Sequence, residues 1–461
     1  MIVNLAPPGE YEVKEKRAIK QFEGLLGRGE RVFLVKDVRH TWKNEQLKPN
    51  LDLRQFNRVI SIDTHDQVAV VEGMTSFYDL VKATLHFDLM PQAVPELRKI
   101  TVGGAIAGLG GQSSSFRYGL IHEMVTDFDL LTGEGKVIHC SPEEHADLFY
   151  MLPNSYGTLG YVLKCTIKLN PVLPYVHLDY RRFNDRETFF EALDEEVRVQ
   201  KADFVEGVSY SPQQYIMLVG EFRETLPPGK RAFEPLYQPF FLSQRDSLIE
   251  EATLATRDYI WRWDADAFFA TDQHNIFGSV LLNPRFRRTM GKYVLRSDRL
   301  IQIGKLRNGL RRNGRGNLLF QESARREALI QDAAIPFEHA AEFDAWLAET
   351  LAIYPLWYCP VKTLRPIGTY PLYRPGAEVV VDFGFYCSMD LSDEMEDYHY
   401  NRAIEEKLVT LDGLKCLYSD TFFPEELFWS LYDQKAYDMV KQKFDPRGTF
   451  LDLYHKVVNS Q

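Results

Sequence analysis

Between positions 101 and 119 the chain reads TVGGAIAGLGGQSSSFRYG, with glycine at 103, 104, 108, 110, 111 and 119 and serine at 113, 114 and 115. No other stretch limits the fold as strongly. Glycine is costly in regular elements and accumulates where the backbone must approach something closely. A loop of converging N–H groups interleaved with hydroxyls suits phosphate oxygens or an electron-rich ring. The pattern is not GxxxxGK[ST], nor a GxGxxG set between a strand and a helix, so neither a P-loop nor a Rossmann grip is expected. A Gly-rich bulge in a sheet would use the same residues. A second glycine turn, SYGTLGYV at 155–162, weighs toward a ligand.

Around this cluster the pattern is mixed. Helices are predicted for KEKRAIKQFEGLL, SFYDLVKATLHF and EEHADLFYML, and strands for RVFLV, RVISID, QVAVVEG, VTDFDLLTG, KVIHCS and VLKCTIKLNPV. Pro171 and Pro174 mark the expected end of a first α+β domain, residues 1–175. From 176 to 410, longer helical patterns (ETFFEALDEEVRVQKA, HAAEFDAWLAETLAIYP) and strands such as YIMLVGEF and EVVVDFGFYC predict a second domain of helices on an antiparallel sheet. A tail, 411–461, carries an aromatic loop and a helix that periodicity assigns to neither domain. The 461 residues suffice for two or three domains.

A net charge of −11 excludes a protein whose main partner is nucleic acid. Five scattered cysteines form no CxxC pair, pointing to a reducing cytoplasm. The start lacks an apolar signal core, and no run approaches the roughly 18 to 20 apolar residues of a spanning helix. A soluble protein, or one resting on a membrane surface, is expected. Residues 281–315 favour the surface: eleven Lys and Arg face one acid, Asp298, a local +10 that leaves −21 for the rest. Apolar residues lie among them, including Met290, Tyr293 and Ile301, which fits docking on an anionic leaflet from the cytoplasmic side. A solvated helix face or a site for the phosphates of NADPH would use the same charges.

The segments PELRKITVGGAIAGLGGQSSSFRYG, DLLTGEGKV, DLFY, PNSYGTLGYV and DPRGTF resemble, in this order, the FAD-binding oxidoreductases of the vanillyl-alcohol oxidase type, with their PCMH-type FAD domain. Residues 114–120, 153–160, YPLWYCP at 354–360, 381–384 and LYSD at 417–420 are similar to the delta-24 sterol reductase branch, and DYIWRWD at 258–264 to bacterial reductases of 10-methylene fatty acyl chains. The resemblance implies a two-domain α+β fold: an FAD domain built from the N-terminal part and the last 50 or so residues, with a substrate domain inserted. It implies non-covalent FAD, held along the ribityl, diphosphate and ring by Thr101, Gly103, Gly104, Ala105, Gly108, Ser113 and Ser114. Gly157, Thr158, Gly160 and Val162 would hold the adenosine side. Relatives carry a Gly-rich turn after the first strand; this chain has KDVRHTWKNEQLKP there, so Thr41 and Asn44, with Arg39 or Lys43, are expected to donate by side chain instead. His40, near where some relatives attach flavin covalently, reads as solvated.

Reducing an isolated C=C bond needs a hydride at one carbon and a proton at the other, hence a general acid. The candidates are Tyr418 and Asp420 in LYSD, and Tyr118 and His122 beside the glycine loop; Tyr418 leads. Glu96, just before the loop, faces the flavin edge or the substrate, or only pairs with Arg98. Asp264, Asp266 and His274 match no metal-ligand spacing, and no metal is expected. The aromatic residues at 257–277 and 422–429 fit an apolar tunnel or an ordinary core equally well. The reading is an FAD-dependent reductase of a C=C bond in a long-chain lipid, acyl or sterol-like, with NADPH or NADH as donor. An oxidative dehydrogenase, desaturase or oxidase shares that fold. A lipid-binding protein with a decayed flavin site is the reading from another class.

Overall fold

The computed structural model describes residues 5–36, 48–246, 248–265, 283–299 and 325–458. Arg39, His40, Thr41, Lys43, Asn44, Asp266, His274 and the part of the basic strip at 300–315 lie outside them.

Two sheets organise the chain. The first contains β1 (Val59–Asp63), β2 (Val68–Glu72), β3 (Leu89–Pro91), β4 (Val125–Leu131), β5 (Val137–Cys140) and β6 (Tyr161–Pro171). Their order is β1-β2-β6-β4-β5, with β3 beside β6. The turn at 63–66 closes the β1–β2 hairpin, Asp63 pairing with Val68. Helix Glu10–Gly27 covers this sheet through Ala18, Phe22 and Leu25. RVFLV, expected as a strand, makes only a bridge of Leu34 to Leu51.

The second sheet contains β7 (Tyr175–Phe183), β8 (Phe204–Ser211), β9 (Gln214–Arg223), β10 (Glu251–Ala255), β11 (Arg326–Pro336), β12 (Leu356–Lys362), β13 (Val379–Asp390) and β14 (Leu414–Lys415). All its pairings are antiparallel, in the order β10-β7-β9-β8-β12-β13-β11-β14. Strand side chains alternate between faces, and the two faces here meet different neighbours. Met217, Tyr358, Phe383 and Phe385 pack under helices Arg186–Val199, Ala340–Thr350 and His399–Thr410. The opposite face, with Val208, Ile216, Leu218, Trp357 and Cys359, shares one core with the first sheet and with Tyr259, Trp261 and Trp263. The described aromatic residues of that segment are core, not tunnel.

The chain crosses between sheets where the prolines stand, β6 ending at Pro171 and β7 beginning at Tyr175. The return comes later than 411, because β14 still pairs with β11. Helix Gln434–Phe444 and the C-terminal segment after it sit on the first sheet. There Phe450 packs against Phe22 and Tyr161, and Lys441 donates to the carbonyls of Thr158, Phe450 and Leu451 at 2.7, 3.1 and 3.2 Å.

In the described part of the basic strip, helix Pro284–Val294 exposes Met290 and Tyr293. Arg287, expected on that surface, is instead fully buried and donates to the Pro235 carbonyl at 2.6 Å. Among the described residues no helix is long and apolar enough to cross a membrane.

Candidate active site

The glycine cluster folds as helix Val102–Gly108 and the turn Ser115–Tyr118, not as a bulge. Thr101 caps the first helix, its Oγ1 accepting from Gly104 N at 3.3 Å. Several of the glycines are required by neighbouring protein. A Cβ on Gly103 would lie 3.0 Å from the Gly73 carbonyl oxygen and 3.2 Å from Val162 Cβ, and one on Gly111 would meet Leu120 and Ser115 at 2.7 Å. The two glycine segments are joined: Tyr156 N and OH donate to the carbonyls of Ala107 and Gly108 at 2.9 and 2.8 Å. Gly103 thus sits against Val162, and Ala107 and Gly108 against Tyr156. Gly157 has φ +74°, and a Cβ on Gly160 would meet the Leu131 carbonyl at 2.6 Å.

The serines divide. Ser114 Oγ donates to the Gln92 carbonyl at 2.9 Å. Ser113 points to the second sheet: its Oγ is 2.7 Å from Tyr259 OH and accepts from Arg262 at 3.1 Å. Expected on the cofactor, that hydroxyl is spent on protein. Arg262 is fully buried and forks onto Glu206, Nε to Oε1 at 2.9 Å and Nη2 to Oε2 at 2.7 Å. Trp263 and Trp357 donate to the same carboxylate at 3.1 and 2.9 Å.

Beside this pair lies an acidic cluster. Antiparallel register sets Asp332 opposite Gly384 and Asp382 opposite Ala334, so Asp332, Asp382 and Tyr386 share the face toward the first sheet. Gly384 leaves room for the Trp357 ring and Asp332, which a Cβ would meet at 2.8 and 3.3 Å. The Tyr418 OH is 3.5 Å from that of Tyr386, and Tyr418 lies near Asp332. Glu96 completes the group. It does not pair with Arg98, which is bound to Asp264, and its Oε1 has no partner; neither has Asp382 Oδ1. Burial, opposed by the Tyr418 hydroxyl, pushes Asp332 up to about 6. Burial, then Asp332 and Glu96, holds Asp382 well above the usual range. Glu96 is raised by burial and by Glu206. Tyr418 is raised by burial and by Asp332. Burial thus favours the neutral form of Glu96, Asp382 and Tyr418, while Asp332, near 6, is mostly a carboxylate at pH 7.

The other proton-donor candidates lie elsewhere. His122 is buried between the rings of Tyr370 and Tyr373 with neither nitrogen bonded. Burial, aided by Arg365, lowers it to about 3, so it holds no proton to give at neutral pH. Asp420 belongs to another network, its carbonyl accepting from Lys415, which pairs with Glu405 at 2.6 Å. Tyr118, half-buried, has no hydrogen bond to the cluster.

The glycine segments also hold polar atoms that have no partner among the described residues: both amide atoms of Gln112, Asn154 Oδ1 and Ser155 Oγ. Buried polar groups are normally bonded. Such a row beside two closely packed glycine segments fits a long, polar, ring-bearing ligand such as a flavin dinucleotide.

The paired lobes, the joined glycine segments and the acidic face between them define an FAD-dependent oxidoreductase. Residues 50–141 match the family model described as FAD binding domain. Over 407 residues the chain is 26% identical to Delta(24)-sterol reductase of Rattus norvegicus, covering 87% of this chain and 76% of the relative. The Delta(24)-sterol reductase of Arabidopsis thaliana is 23% identical over 487 residues, 97% of this chain and 84% of the relative. Cytokinin dehydrogenase 4 of Oryza sativa is 30% identical over 136 residues, 29% of this chain and 26% of the relative. The vanillyl-alcohol oxidase-type resemblance, with its sterol reductase branch, therefore holds over most of the chain.

Sequence reasoning reached Tyr418 and noted Glu96, but missed Asp332, Asp382, Tyr386 and the Arg262–Glu206 pair. A signal was available: a lone acid inside an apolar strand run, as in ALIQDAAIP and EVVVDFGFYC.

Proposed function

We propose that the protein reduces a carbon–carbon double bond in a sterol-like or long-chain lipid, with NADPH or NADH as the electron source and FAD bound along the joined glycine segments. The observation that carries this reading is the set of buried acids, raised above their usual range, on the inner face of the second sheet. A C=C bond polarises weakly, so its reduction needs a proton donor held ready at neutral pH. Tyr418 is the donor in this reading, and Tyr386, whose OH is 3.5 Å away, links it to the raised acids Asp332, Glu96 and Asp382. Bound FAD supplies the two-electron chemistry. The residues of this chain orient the lipid on the apolar part of the face, exclude water and deliver the proton.

Thr101, Gly103, Gly104, Ala105, Gly108 and Ser114 line the ribityl and ring side in this reading, and Gly157, Thr158, Gly160 and Val162 the adenosine side. Exposed Met290 and Tyr293 among basic residues support membrane docking, by which a lipid substrate would be reached. The test is anaerobic: protein reduced by NADPH is mixed with a sterol bearing a side-chain double bond, or with a 10-methylene acyl lipid. Formation of the saturated lipid supports reduction. Oxidation of a saturated lipid, with no use of NADPH, would place the reaction in the opposite direction.

A further inference from the structure

Residues 225–240 read TLPPGKRAFEPLYQPF, and prolines at 227, 228, 235 and 239 keep this loop from pairing as a strand. It meets the edge strand β10 through Phe233, whose N–H donates to the Thr253 carbonyl at 2.7 Å. The carbonyls that follow face helix Pro284–Val294. Arg287 donates to that of Pro235 at 2.6 Å, and Gly291, one turn on, brings the helix close to Leu236, whose oxygen a Cβ would meet at 3.1 Å. These two contacts fix the rotation of the helix. Arg288 then borders the loop, while Met290 and Tyr293 turn toward solvent.

Between loop and helix lies a cavity of about 590 Å³, a size that suits a small polar group with part of its chain. Its lining includes Lys230, Arg231, Phe233, Tyr237, Pro284 and Arg288. Glu234 and Glu251 also line it, and Glu251 pairs with Lys230 at 3.3 Å. Arg231 and Arg288, both exposed, have no ion pair among the described residues. Three cations against two acids leave the lining positive, and Arg285 and Lys292 add to it from the same helix. Large apolar side chains stand beside this charge, Tyr237, Met290 and Tyr293 being 40%, 44% and 60% exposed. Lys292 Nζ lies 4.8 Å from the centre of the Tyr293 ring. A free phosphate would use the cations alone. A phospholipid uses both, its phosphate meeting the arginines and its headgroup–acyl boundary the tyrosines and methionine.

We propose that this cavity binds the phosphate of an anionic phospholipid, with Arg231 and Arg288 as its ligands and Tyr237, Met290 and Tyr293 seated in the membrane interface. The inference rests on the membrane docking in the functional reading above and names the headgroup contact which that reading leaves open.

The test uses the full chain, sedimented with vesicles of phosphatidylcholine alone and of equal parts phosphatidylcholine and phosphatidylglycerol. The parent protein is expected to bind the anionic vesicles and not the neutral ones. Arg231→Gln with Arg288→Gln should weaken that binding about 100-fold or more, about 10-fold for each charge-assisted contact. Arg231→Lys with Arg288→Lys keeps the charge but loses the forked donors, and should still cost about 10-fold. Arg285→Lys, the same exchange outside the cavity, should change nothing. Flavin content should be unchanged in every variant, since these side chains are exposed. Binding of the Lys pair at the parent's strength would show diffuse attraction to a charged surface and overturn the proposal. So would a Gln pair that binds as the parent does, or one that loses only its reaction with NADPH. Failure of the parent chain to bind anionic vesicles would instead refute the docking reading itself.

Discussion

Glu206 is the acceptor on which the two lobes converge. Replacing it by alanine leaves the guanidinium of Arg262 at zero exposure, with only the Ser113 hydroxyl at 3.1 Å and the Tyr259 carbonyl at 3.0 Å. Breaking a buried pair from one side costs about 3–5 kcal/mol. The indole N–H groups of Trp263 and Trp357 also lose this acceptor, about 1 kcal/mol each. The expected loss of roughly 5–7 kcal/mol is comparable to the whole stability of many domains. The double variant Glu206→Leu with Arg262→Met removes both charges and should cost far less, about 2 kcal/mol or below. Urea unfolding followed by tryptophan fluorescence reads both, as Trp263 and Trp357 flank the pair. The reasoning fails if the single variant loses less than about 1 kcal/mol, or if the double variant is as unstable as the single one.

Three further outcomes are expected. His122 stays neutral to about pH 3 in the folded state, while the unfolded chain takes up its proton near pH 6.5. This residue therefore destabilises the protein as pH falls from 6.5 toward 3, by about 1.4 kcal/mol per unit, and acid unfolding of His122→Phe should shift to lower pH. Gly73→Ala would put a Cβ 1.9 Å from the Val162 carbonyl oxygen; a loss of about 3 kcal/mol or more is expected by thermal unfolding. Tyr418→Phe should cut turnover about 100-fold or more and leave flavin content unchanged. It also removes the hydroxyl that lowers Asp332, so the Asp332 transition near 6 should move up; a raised carboxyl favours the fold at low pH and loses that contribution as pH rises through its folded pKa.

Local pattern carried the elements of the first sheet, because its hairpin and helices are set by short-range signals such as the turn at 63–66 and the Ser76 cap. The two-sided burial of the second sheet was less legible. Asp332 and Asp382 look like ordinary strand residues until antiparallel register brings them onto one face. The glycine cluster was read for its ligand, yet Gly103 and Gly111 answer first to Val162, Gly73, Leu120 and Ser115. His122 was chosen by nearness in sequence to the loop, and the chain turns its ring into the core between Tyr370 and Tyr373.

Bound flavin is proposed to pass electrons to a lipid double bond. The most direct measurement is the visible spectrum of the purified protein under anaerobic conditions, before and after NADPH and again after the unsaturated lipid is added. The account predicts a flavin spectrum that NADPH bleaches and the unsaturated lipid restores, with one saturated product formed per flavin reoxidised. A protein without flavin absorbance, or a flavin that only a saturated lipid bleaches, would contradict it.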